Sequence, residues 1–160
     1  MRFKISKKAQ NYFSDIINLE GYYASEDRNK FIQFDVYYCC ALIGMVACQM
    51  DEDKDDLRDL VDKYPTPYKD CRAKIAGLLV ATEIKRINMD VHSTQIEDIM
   101  LQYLGNNDTL LSDEGVKALN AYSLKGFRLL QEYPLMEYKP TSREEFLDAF
   151  YIAMQHYASD

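Results

Sequence analysis

The densest run of chemistry-bearing side chains is Asp51–Asp62 (DEDKDDLRDLVD), with seven acids and two bases. Asp51, Asp53, Asp55, Asp59 and Asp62 stand at positions 1, 3, 5, 9 and 12 of a calcium-loop spacing, where hard oxygen ligands can wrap one Ca²⁺. Three residues depart from that pattern. Asp56 replaces the glycine that the sharp turn requires, Arg58 stands where an aliphatic residue is usual, and Asp62 replaces the bidentate glutamate. These departures favour an exposed acidic loop, 51–56, in which Asp51, Asp53, Asp55 and Asp56 face a basic partner. A short helix from Asp56 to Lys63 is expected to follow.

Other chemistries find less support. The six glycines lie at 21, 44, 77, 105, 115 and 126, too far apart for a phosphate-cradling loop or a dinucleotide fingerprint. No GxSxG elbow accompanies Ser93 and His92. Neither His92 nor His156 has a glutamate three residues before it, so the Glu-x-x-His pattern of di-iron bundles is missing. Cys39, Cys40, Cys48 and Cys71 form no CxxC pair and read as free thiols packed as small hydrophobes in a reducing compartment. Asp35 falls in the first turn of an apolar helix, where a negative charge is stabilised. No cofactor is expected.

Tyrosine is the compositional oddity, with 13 Tyr and no Trp. Tyr22–Tyr23, and Tyr133 and Tyr138 around Pro134, occupy expected loops rather than obvious core positions. Tyrosine suits surfaces that are half apolar and half wet, so these four are the expected anchors for a protein partner.

These residues sit on a chain of 160 residues with 48% hydrophobic and 28% charged side chains, ordinary globular values. Its formal charge of −7 opposes phosphate backbones. Direct nucleic-acid binding is therefore expected only through a short basic N-terminal arm, 1–6, with Lys7 and Lys8 beyond it. The longest apolar run, Val36–Cys48, is thirteen residues, against about 20 for a membrane span. With no secretory h-region, a cytoplasmic protein without membrane contact is expected.

The elements follow from periodicity. Residues 2–6 alternate briefly. Ser6 caps a helix over Lys7–Leu19, with Ala9, Tyr12, Phe13, Ile16 and Ile17 on one face. A polar loop, Ser25–Lys30, precedes a second helix from Phe31 or Phe34 to Met50. That helix is apolar almost all round, and its Gly44 implies close approach of another helix. Tyr64-Pro-Thr-Pro67 stops the short acidic helix. A third long helix, Tyr68–Asn88, carries two apolar rows and is expected to be the second buried one. Ser93 caps a helix to Leu104, with Gly105 as its left-handed C′ residue. Ser112 opens a long helix ended by Pro134. Thr141 and Ser142 fit the capping box of the last helix. The expected architecture is one all-α domain, 1–160, of five or six main helices around two buried central ones.

Leu110-Leu-Ser-Asp-Glu-Gly115, Asn120-Ala-Tyr122, Gly126-Phe127, Glu132-Tyr133 and Phe146-Leu147 resemble small helical accessory proteins of bacterial DNA-modification and phage-defence operons. The Tyr37–Tyr38 helix with Gly44 adds to the likeness, which covers about half the chain and carries no active-site motif. It implies a subunit working beside larger nuclease or ATPase partners. The expectation is a non-catalytic adaptor in an intracellular hetero-complex, for which the resemblance implies an antiviral-defence system. Two rivals are an acidic nucleic-acid mimic that inhibits a nuclease, and a helical enzyme binding metal through carboxylates.

Overall fold

The computed structural model describes residues 1–19, 29–87 and 93–158. The elements run β1 (Phe3–Ser6), α1 (Lys7–Tyr12), β2 (Ile17–Asn18), β3 (Phe31–Ile32), α2 (Gln33–Ala47), β4 (Leu57–Val61), a 3₁₀ segment (Thr66–Cys71), α3 (Arg72–Arg86), α4 (Ser93–Tyr103), α5 (Asp113–Leu130), a π turn (Gln131–Leu135) and α6 (Arg143–Ala158). The protein is mostly helical, as its periodicity predicts, but two small two-stranded sheets correct the all-α expectation.

The centre is the crossing of α2 and α5. A Cβ on Gly44 would lie 2.1 Å from the Tyr122 carbonyl oxygen, and one on Gly126 would lie 1.6 Å from that of Cys40. The two backbones meet where each helix has no side chain, which is the close approach implied by Gly44. The second buried rod is therefore α5 and not the 68–88 helix. In α3 only the face carrying Ile75, Ala76, Leu79, Val80, Thr82 and Glu83 is buried. Counting both of its apolar rows as core overestimates its burial.

Asn120 fastens the N-terminal strand to this crossing. Its Oδ1 accepts from the Lys4 amide at 2.9 Å and from Tyr37 Oη at 2.7 Å, and its Nδ2 donates to the Arg2 carbonyl at 3.2 Å. Phe3, fully buried, stacks edge-on to Phe34 and Tyr37. Residues 3–6 are thus a core strand, and only Met1 and Arg2 of the expected arm are exposed.

The expected Asp56–Lys63 helix is strand β4, antiparallel to β1. Leu57, Leu60 and Val61 have the i, i+3, i+4 spacing of a helical face, which hides the strand. The register slips between Phe3 and Lys4, so Phe3 pairs with Val61 and Lys4 with Asp59. Leu60 and Val61 are both buried despite being neighbours, as a bulge allows. The 7–19 helix is shortened to α1, because the chain turns at Phe13 and enters β2, which pairs in parallel with β3.

Capping follows the sequence at most ends. Ser6 Oγ accepts from the Ala9 amide, Ser112 Oγ from the Gly115 amide, and Ser142 Oγ from the Glu145 amide. Gly105 does not adopt the left-handed conformation expected of it. Its hydrogen instead gives room to Leu111, whose carbonyl oxygen would lie 2.8 Å from an added Cβ. A left-handed residue does end α2, at Cys48, with Gln49 N donating to the Gly44 carbonyl and Cys48 N to that of Met45. That is the Schellman pattern without glycine.

Candidate docking site

Part of the acidic segment is tied to the protein's own donors, while Glu52, Asp55, Asp59 and Asp62 are exposed. Asp51 and Asp53 accept from Arg128 at 3.0 and 3.2 Å, and Lys125 Nζ lies 3.8 Å from Asp51. Asp56 is buried. It accepts from the Ser6 hydroxyl and, at 3.2 Å, from the Lys8 amide, while its carbonyl accepts from the Lys7 amide. Together with the Ser6 cap, this satisfies three of the donors exposed at the start of α1. Lys4 faces Asp59 at 3.9 Å and Lys7 Nζ donates to the Asp55 carbonyl. The basic N-terminus and the acidic stretch, read separately in the sequence, meet where β1 pairs with β4. Asp59 sits on β4, facing Lys4. Among the described residues no three histidine, cysteine or carboxylate side chains gather as a metal site, the five spaced aspartates included.

The tyrosine anchors separate. Tyr22 and Tyr23, with His92, lie outside the described residues. Tyr133 is half-buried, its ring 4.4 Å from that of His156. Tyr138 is exposed beside exposed Met136, and its carbonyl accepts from Tyr12 Oη. Asp35 accepts from the Ile32 amide and from Tyr68 Oη, at 3.1 and 2.5 Å, as a helix-end cap. Burial pushes its carboxyl up, against these bonds and Arg143. Burial, reinforced by Asp35, pushes the Cys39 thiol up to about 12, so it is inert packing at neutral pH.

Sequence reasoning missed Glu83. Its side chain is buried on α3 and accepts from Tyr122 Oη at 2.5 Å, Tyr103 Oη at 3.1 Å and Arg86 Nη2 at 2.7 Å. Burial alone would raise its pKa. The hydrogen bonds from Arg86, Tyr122 and Tyr103 outweigh that and hold the carboxyl below its ordinary value. Both carboxylate oxygens are occupied by donors, so the group ties α3, α4 and α5 together. The sequence signal is an acid lying between two apolar rows of one helix.

A second feature is open to solvent. A groove of about 350 Å³ runs between α2, α3 and α6, floored by Leu42, Met45 and Val46. Leu78, Ala81 and Lys85 form the α3 wall, and Met154 and Ala158 the α6 wall. Both walls continue along helical rows. Lys74, Leu78, Ala81 and Lys85 are spaced four, three and four, as are Leu147, Tyr151, Met154 and Ala158. Each set spans one narrow stripe of its helix. Leu78 is 38% exposed, Leu147 43% and Tyr151 63%. Of the α3 wall, only Leu78 belongs to an apolar row legible in the sequence, and its row-mates Ile75 and Leu79 are buried in the core.

No protein-family model, curated protein or solved structure matches this chain. None of the helices in the described residues is long and apolar enough to cross a membrane.

Proposed function

We propose that this protein is a non-catalytic helical subunit that seats an amphipathic helix of a larger protein in the α2–α3–α6 groove. The observation that carries the reading is the pair of wall rows on α3 and α6, with three apolar residues of α2 between them. A helix laid there completes a bundle and buries side chains at i, i+3, i+4 and i+7. Lys74 and Lys85, about 16 Å apart along α3, bracket the apolar part of their wall. They fit a helix of about three turns with acidic residues at both ends. Supporting the setting, residues 110–147 resemble accessory subunits of bacterial DNA-modification and phage-defence operons. A place beside the nuclease or ATPase of such an antiviral assembly, in the cytoplasm, follows from that resemblance. The acidic-mimic alternative is weakened because Asp51, Asp53 and Asp56 are bound to the protein's own donors.

A photo-crosslinking side chain placed at Leu78, in the protein's own cell, tests the reading. It should capture one dominant protein that the same label at exposed Glu132 does not. Ala81→Glu, at an exposed position in the groove, should abolish the capture while leaving thermal stability within about 0.5 kcal/mol. Equal labelling at both positions, or capture indifferent to Ala81→Glu, overturns the proposal.

A further inference from the structure

At the opposite end of α3 from Lys85, a polar cavity of about 330 Å³ is lined by Lys63, Tyr64, Lys69, Asp70, Arg72 and Asp108. Its size lies at the lower end of small-molecule sites. Three cations converge there from two elements and the turn before them. Arg72 is the ordered one. Its Nε donates to the Lys69 carbonyl and its Nη1 to the Asp108 carbonyl, both at 3.1 Å. Two of the five N–H donors of a guanidinium are used to aim the group, and the others stay available.

Tyr64 supplies an independent observation. The residue is 3% exposed, its ring is packed on Phe3 and Phe34, and its Oη is buried with no hydrogen-bond partner. An unpaired buried hydroxyl is destabilising. Native structures rarely keep one without a use. Burial keeps the phenol protonated at neutral pH, against the pull of Arg72, so it is a donor, as are the three cations. Three cations on the lining, with the buried, unpaired hydroxyl of a fourth lining residue, define an acceptor-rich anion. Asp70 and Asp108, on the same wall, lower the net charge to about +1 and offer acceptors for hydroxyl groups.

The geometry points to a binding site for a phosphate monoester of a small polyol, its phosphoryl oxygens taken by Arg72, Lys69, Lys63 and the Tyr64 hydroxyl, its hydroxyls by Asp70 and Asp108. Arg72 gives the fixed planar fork suited to phosphoryl oxygens, and the lysines supply charge. The assignment stands apart from the α2–α3–α6 groove, and its failure leaves that reading untouched.

Calorimetry and ³¹P NMR on the purified full chain, with ribose 5-phosphate, inorganic phosphate and ribose as probes, test it. Ribose 5-phosphate should bind at least about tenfold tighter than inorganic phosphate, and ribose should show no binding up to about 10 mM. Arg72→Met and Tyr64→Phe should each weaken ribose 5-phosphate about tenfold, the loss of one bond to a charged group. Because Arg72 also holds the Asp108 carbonyl, Lys69→Met is the companion variant: it removes a cation without a structural bond and should cost severalfold. Tyr64→Phe should leave the ligand-free melting temperature unchanged or higher while shrinking the shift that ligand produces. No binding of ribose 5-phosphate, equal binding of inorganic phosphate, or affinity indifferent to these substitutions overturns the assignment.

Discussion

Glu83 shows how one side chain can decide the arrangement of three helices. It is buried, yet it stays ionised because Arg86, Tyr103 and Tyr122 all donate to it. Replacing it by Gln removes the charge and leaves the shape. Both tyrosine hydroxyls and a half-exposed guanidinium then lose their charged acceptor, which should cost about 2 kcal/mol at pH 7. The sign of the pH dependence is fixed by the direction of its shift. A carboxyl held below its unfolded value of about 4.3 contributes stability above that value and loses it as pH falls through the folded value. Urea unfolding of the wild type and Glu83→Gln at pH 7 and again below pH 4 should therefore show a gap that narrows in acid. A gap that stays constant or widens would contradict the assignment of Glu83 as the ionised tie. Asp35 has the opposite sign. Its carboxyl is raised by burial, so whatever stability it gives is lost as pH rises through its folded value.

At the scale of elements, the fold turns on two glycines facing two carbonyls. A methyl at position 126 has no room, since the obstacle is the Cys40 backbone and not a flexible side chain. Gly126→Ala should force α2 and α5 apart and cost about 3 kcal/mol or more. Gly77, on α3, meets nothing within 4 Å. Gly77→Ala should instead stabilise by about 0.5–1 kcal/mol, because only the helix propensity changes. Denaturant midpoints for the pair test the crossing directly, and similar midpoints would count against it. Gly44 made this close approach legible in the sequence, while the partner helix was misread. Helical periodicity shows that a face is apolar without showing whether anything covers it, so α3, with two such faces, looked more central than α5. Strand β4 was hidden for a different reason. A five-residue strand that itself carries the bulge, with Leu60 the extra residue, places adjacent Leu60 and Val61 inward, and the period-2 signal vanishes. The ties through Asp56 to Ser6 and through Arg128 to Asp51 join residues 50 and 77 positions apart, which no local pattern encodes. Leu78 reads in the sequence as one more core position beside Ile75 and Leu79, and only the fold places it on a groove wall.

The whole molecule carries −7, yet the groove is bordered by Lys74 and Lys85 on one wall. An acidic helix approaching from afar meets net repulsion, and attraction operates only within about 8 Å at physiological salt. In the proposed docking, the lysines act on orientation and on the last step of encounter, while Leu78, Ala81, Tyr151 and Met154 supply the contact that holds. These two contributions separate in kinetics. Lys74→Glu with Lys85→Glu should slow association with the captured partner about tenfold at low ionic strength, with a much smaller effect on dissociation, because rim charges govern on-rates. Raising the salt should erase most of that difference by screening. Ala81→Glu should do the reverse, speeding dissociation at every salt concentration because it places a charge inside the contact. Stopped-flow association at low and high salt, run on both variants, distinguishes the two. A double lysine variant that binds at the wild-type rate in low salt would remove the acidic-helix description of the partner, and an Ala81→Glu variant that dissociates normally would remove the groove itself.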